Sequence, residues 1–77
     1  MNSIETEIPT ILIVGKNHNY YLIRNYMAGQ FERWDVYREK FSSFTMKRIG
    51  NELDITLSRK LVAHYEKHGT FKKGDFL

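Results

Sequence analysis

Residues 44–65, FTMKRIGNELDITLSRKLVAHY, constrain this chain more than any other stretch, because they read as two short amphipathic helices joined by a tight connection. Met46, Ile49, Gly50 and Leu53 follow the i, i+3, i+4, i+7 spacing that gathers apolar groups on one helix face, and Asp54-Ile55-Thr56 breaks the pattern. Ser58 then offers an N-cap, since its hydroxyl can accept from a free N–H of the next turn. At about 100° per residue, Leu61, Val62 and Tyr65 fall on one side of the second helix. Arg59, Lys60, Ala63, His64 and Lys67 fall on the other. Ala63 is the small residue of that basic side and lets the backbone come close to whatever it faces. A DNA major groove is wide enough to admit such a helix, and its flanking phosphates attract Arg and Lys.

Here residues 44–68 resemble the helix-turn-helix family of DNA-binding proteins. The residues that carry the resemblance are Ile49-Gly50, Leu53, Ile55 in the turn, and Leu61 with Tyr65. Two positions depart from the family pattern. Asp54 stands where the turn usually has Gly, and Leu61 comes one residue later than the usual core position, so the turn would be one residue longer. The resemblance implies a mainly α fold with a small β element; residues 70–77 read as either a short extended tail or a truncated wing. A competing reading makes Gly50-Asn51 a hairpin turn between strands 44–49 and 52–57, giving a mixed α+β fold. Leu53, Ile55 and Leu57 alternate as that strand requires, but Lys47-Arg48 interrupts the first strand.

Seventy-seven residues make one domain, and a chain this short buries only roughly 60–65% of its unfolded surface, which leaves little room for an enclosed catalytic cleft. There is no cysteine, so disulfides, thiolate metal sites and cysteine nucleophiles are excluded together. Glu5 and Glu7 stand ahead of a seven-residue apolar run, which resembles neither a signal peptide nor a membrane span. A cytoplasmic protein is expected. Charge is unevenly placed: residues 1–43 hold five cations and five carboxylates, whereas residues 44–77 hold seven cations against four carboxylates and carry the whole +3. The excess therefore sits with the candidate DNA-binding motif, as the footprint of a polyanion ligand should.

Residues 1–8 are expected to be frayed. Thr10-Ile11-Leu12-Ile13-Val14 reads as a buried strand, ended by a turn at 15–19. Tyr20, Ile23, Met27, Phe31 and Trp34 then recur at helical spacing, so a core-packed helix is expected from Asn19, with Gly29 as the place where it bends or ends. That spacing favours packing over a role for Tyr20, Tyr21, Tyr26, Phe31, Trp34 and Tyr37 as base-stacking platforms. His64 and His68 share the spacing of paired metal ligands, but no third ligand stands out. No nucleophile, acid pair or phosphate loop is recognisable, so neither an enzyme nor a cofactor is expected.

The functional expectation is a transcriptional regulator or accessory factor that binds duplex DNA, most simply as a homodimer joined through the N-terminal strand or the aromatic helix. Thr56, Ser58 and Lys47 would hold phosphates, and Arg59, Lys60, Ala63 and His64 would face base edges. Lys67, Lys72 and Lys73 would add nonspecific attraction. The alternative is a protein-interaction module, such as a small inhibitor or adaptor of the kind phages and mobile elements encode.

Overall fold

The computed structural model describes residues 10–43 and 45–70. Four strands run in chain order, β1 (Thr10–Val14), β2 (His18–Arg24), β3 (Trp34–Lys40) and β4 (Met46–Leu53), followed by one helix, α1 (Ile55–His68). The strands form an antiparallel meander in the order β1-β2-β3-β4, and α1 lies across β3 and β4 on one face. The protein is therefore mainly β, and the expectation of a mainly α, helix-turn-helix architecture is wrong.

Three local decisions explain the difference. The helix expected from Asn19 is two strands, because Tyr20 and Leu22 on β2 and Trp34 and Val36 on β3 alternate onto the helix-covered face and are buried there. Ile23, Tyr21 and Tyr37 point to the opposite face, so both sides of these strands carry apolar groups, and the sequence shows no clean period of two. The first helix of the expected motif is β4, which runs as one strand through Gly50 and Asn51. The competing hairpin at that dipeptide is equally absent. In its place the register of β4 against β3 shifts between Trp34 and Tyr37, with Glu52 at φ 53° in the left-handed region. Asp35 stabilises this bulge by accepting the Glu52 N–H at 3.0 Å, and it also accepts from the Asn25 side chain in the β2–β3 connection.

Gly50 is where β4 meets α1. A Cβ built there would lie 2.7 Å from Cδ2 of Leu61 and 2.9 Å from Cδ1 of Leu53, so the absence of a side chain sets how closely helix and sheet approach. The core between them is Tyr20, Leu22, Trp34, Val36, Leu61 and Val62, with Ile11, Ile13, Ile49, Leu53, Ile55 and Tyr65 packed around it. Each fully buried apolar side chain contributes about 1.5–3 kcal/mol, which is how a single layer of contact sustains so small a domain.

The second helix of the expected motif does exist, with a different start. Asp54, not Ser58, is the N-cap: its carboxylate accepts the Leu57 N–H at 2.8 Å. Ser58 lies a turn inside, buried, with its hydroxyl donating to the Asp54 carbonyl at 2.8 Å. Gly69 ends the helix in the left-handed conformation and its N–H reaches the Tyr65 carbonyl at 2.7 Å. No helix among the described residues is long and apolar enough to cross a membrane. The expectations for residues 1–8, for the tail or wing beyond Thr70 and for Lys72 and Lys73 lie outside the described residues.

Candidate nucleic-acid interface

An antiparallel sheet covered on one side only has two unlike faces, and strand register assigns each charge to one of them. Tyr20 and Val36 mark the helix-bearing side, so Arg24 on β2, Arg38 and Lys40 on β3, and Lys47 opposite Arg38 on β4 also project there. The open side receives Asp35, Glu39 and Arg48. To the helix-bearing side α1 adds Arg59, Lys60 and Lys67, all exposed, with Glu66 as the one exposed carboxylate of the helix itself. Seven cations thus share a surface with the carboxylates of Asp54 and Glu66, while the open sheet face pairs one arginine with two carboxylates.

Of the residues expected to contact DNA, Thr56, Arg59, Lys60, Ala63 and Lys67 are exposed on α1, and Leu61 and Val62 on its inner side are buried. His64 is half-buried, with its ring 4.6 Å from that of His68. Among the described residues no group of three or more potential ligands could hold a metal. Ser58 is buried and cannot reach a phosphate. Lys47 belongs to the surface but lies on β4, apart from Thr56 and Ser58 in the first turns of α1 with which it was expected to hold phosphates. Its register partner Arg38 donates to the carbonyl of Gly69 at 3.2 Å, which places both cations near the C-terminal end of α1.

That end is organised by a connected set of polar groups. Glu66 reaches back to the β1–β2 turn, accepting the Lys16 N–H at 2.7 Å and the Tyr20 hydroxyl at 3.0 Å. The backbone hydrogen bond from Lys16 and the one from Tyr20 hold the Glu66 carboxyl below the usual glutamate range. Burial, and then the hydrogen bond to Glu66, push the Tyr20 phenol up. Arg38 stacks its guanidinium 4.9 Å from the Tyr65 ring and approaches His18 Nδ1 at 3.4 Å. Desolvation, followed by the charges of Arg38 and Lys40, lowers the His18 pKa, so this imidazole stays neutral at pH 7 and adds no positive charge of its own.

The helix expected from Asn19 bends or ends at Gly29 and so does not gather Arg24, Arg38 and Lys40, which the strand register does. The signal was available in Trp34-x-Val36-x-Arg38-x-Lys40, where a period of two carries one face from apolar core to exposed cation along a single strand. The aromatic residues are distributed differently from the expected single stripe. Tyr20 and Trp34 are core, Tyr21 and Tyr37 lie side by side on the open face, and Tyr26 and Phe31 stand exposed in the β2–β3 connection beneath the guanidinium groups of Arg24 and Arg33. No family model, curated protein or solved structure matches this chain.

Proposed function

We propose that this protein binds duplex DNA through its helix-bearing face, with α1 presented to the major groove and the strand cations contacting the backbone. The observation that carries this reading is the sorting of charge: seven cations gather on one face while two of the sheet's carboxylates, Asp35 and Glu39, are directed to the other. A surface of that sign concentrates a polyanion and releases its counterions on contact. The fourteen residues of α1 span about 21 Å, and the exposed row Thr56, Arg59, Lys60, Ala63 and Lys67 runs along it with Ala63 leaving space for close approach. The reading rests on this surface and owes nothing to a helix-turn-helix.

Fluorescence anisotropy against duplex and single-stranded DNA over a series of salt concentrations tests it. Duplex binding should weaken steeply with salt. The pairs Arg59→Ala with Lys60→Ala, and Lys40→Ala with Lys47→Ala, should each weaken it and lower the salt slope by about one unit per lost phosphate contact. Arg48→Ala on the open face should bind like the parent. Absence of duplex binding at low salt, or helix-side variants that bind like the parent, would overturn the proposal.

A second reading has its own observation. The row Leu12, Tyr21, Tyr37, Arg48 crosses all four strands of the open face, with the two tyrosines adjacent on the central strands. Aromatic groups so placed can stack unpaired bases, at about 1–3 kcal/mol per base. The Tyr21 hydroxyl donates to Glu39 at 2.8 Å, which fixes its ring in position. Under this reading single strands bind more tightly than duplex, Tyr37→Ala is the damaging variant, and Arg59 and Lys60 are silent.

A further inference from the structure

The backbone of β1 has a side bonded to β2 and an outward side, and the register says on which of them the groups of Leu12 and Val14 lie. Gly15 donates its N–H to the His18 carbonyl at 2.8 Å, so alternate residues Ile13 and Ile11 exchange hydrogen bonds with Tyr20 and Leu22 of β2. The N–H and C=O groups of Leu12 and Val14 therefore point away from the sheet along its outer edge. The strand is Thr-Ile-Leu-Ile-Val, with no charge, glycine, proline or bulge in it. Such an edge is a template for another strand, and folded proteins normally blunt it with one of those devices. β4, at the other edge, has them: Lys47, Arg48, Gly50 and an irregular register.

We propose that the occupant of the β1 edge is the β1 strand of a second copy, paired antiparallel about a two-fold axis at Ile13 to make one eight-stranded sheet. The pairing sets Leu12 opposite Val14 of the other copy, so that four hydrogen bonds form from the outward-facing groups of these two residues alone. It covers side chains that are 54% and 67% exposed in a single copy. On the helix-bearing face it sets Ile13, only half-buried at the margin of the core, against Ile13 of the other copy, with Ile11 diagonal to it across the seam. Self-pairing here brings no like charges together because the strand has none, whereas β4 against β4 would oppose Lys47 and Arg48 to each other. A two-fold axis perpendicular to the sheet keeps both helices, and both cationic surfaces, on the same face. The dimer stands independently of what that face binds.

The test combines sedimentation velocity over a dilution series with residue-resolved amide hydrogen exchange on the full chain. The expected result is a dimer in which the Leu12 and Val14 amides exchange at least about tenfold more slowly than in the dissociated chain. The double variant Leu12→Lys with Val14→Lys should be monomeric with a parental circular dichroism spectrum, since both side chains stand in solvent in one copy. A chain that stays monomeric at high concentration overturns the proposal. So does a dimer whose Leu12 and Val14 amides exchange rapidly, and so does protection that persists unchanged after dilution to monomer, which would mean that the chain covers its own edge. The exchange measurement on the parent decides the matter even if the double variant fails to fold.

Discussion

The two edge strands of this sheet are built to opposite ends. β4 is irregular, charged and roofed by α1, which packs on it so closely that Gly50 has no room for a side chain. β1 is regular and uncharged, meets the core only through Ile11 and Ile13, and is followed by a turn that the carboxylate of Glu66 ties to the last turn of α1. A strand that must not pair further can absorb a bulge and cations, because its stability comes from what lies above it. A strand left regular and apolar keeps its pairing capacity. The difference locates where the molecule is fixed and where it is available to another chain.

Gly50 gives the largest expected effect and tests the fixed edge. Gly50→Ala should cost about 1–3 kcal/mol, because the added methyl must displace Leu61 and Leu53 in a packed layer. Gly50→Val should cost more and leave little folded protein, since a domain of this size has only a few kcal/mol in reserve. Leu12→Lys on the other edge should leave monomer stability within about 0.5 kcal/mol, as its side chain meets solvent. Urea denaturation of the three variants measures the contrast directly. Equal losses at Gly50 and Leu12 would abolish it.

How much of this was legible in the sequence depends on which face a residue serves. The strand at 10–14 and the sides of α1 could be read because each has a simple pattern: a run rich in β-branched residues, and apolar residues confined to one arc of a wheel. The expectation that this strand is buried is wrong, because it lies at the sheet edge with Leu12 and Val14 exposed. β2 and β3 could not, because Tyr21, Ile23 and Tyr37 place apolar groups on the open face and erase the alternation that identifies a half-buried strand. β4 mimicked a helix for a related reason: its bulge puts Ile49, Gly50 and Leu53 toward the core at spacings of one and three, which a regular strand would not show. The cap was misplaced by four residues because Asp54 and Ser58 are both good N-caps in isolation. What separates them is that Ser58 falls on the inner face of α1 with Leu61 and Val62. Within the candidate interface the cations of α1 were visible, and those of β2 and β3 became so only once the strands were known.

Glu66 ties the roofed region of the molecule to the β1–β2 turn, and its variant should have a moderate, pH-dependent effect. The Glu66 carboxyl titrates below its ordinary value in the folded chain, chiefly through the Lys16 N–H and then the Tyr20 hydroxyl. A depressed carboxyl pKa stabilises the fold above the unfolded value, and that contribution disappears as pH falls through the folded value. Glu66→Gln should therefore lower the Tm by a few degrees at pH 7, and the gap between parent and variant should close as the buffer is taken down through and below the usual glutamate range. A gap of constant size across that range would show that the charge at Glu66 is irrelevant and that only its length matters. Gly15→Ala, which would press a methyl against the Glu66 carboxylate, should reproduce the loss at pH 7.

Glu52 supplies a small expected gain and the sharpest test of why β4 is irregular. It holds φ at 53°, a conformation that costs an ordinary L-residue about 1–2 kcal/mol and glycine almost nothing. Its N–H is secured by Asp35, so the backbone of the bulge does not depend on the glutamate side chain, which is exposed. Glu52→Gly should relieve the strain and surrender part of the gain to the greater freedom of glycine in the unfolded chain, leaving a net stabilisation of about 0.5–1 kcal/mol. At roughly 4–8 °C per kcal/mol for a domain of this size, a thermal melt resolves it. Glu52→Asn should also gain, because asparagine tolerates the left-handed region without the entropic penalty, while Glu52→Ala should not. If Glu52→Gly destabilises instead, the strand is regular at this position in solution. Then β4 is as open to pairing as β1, and the asymmetry between the two edges rests on Lys47 and Arg48 alone.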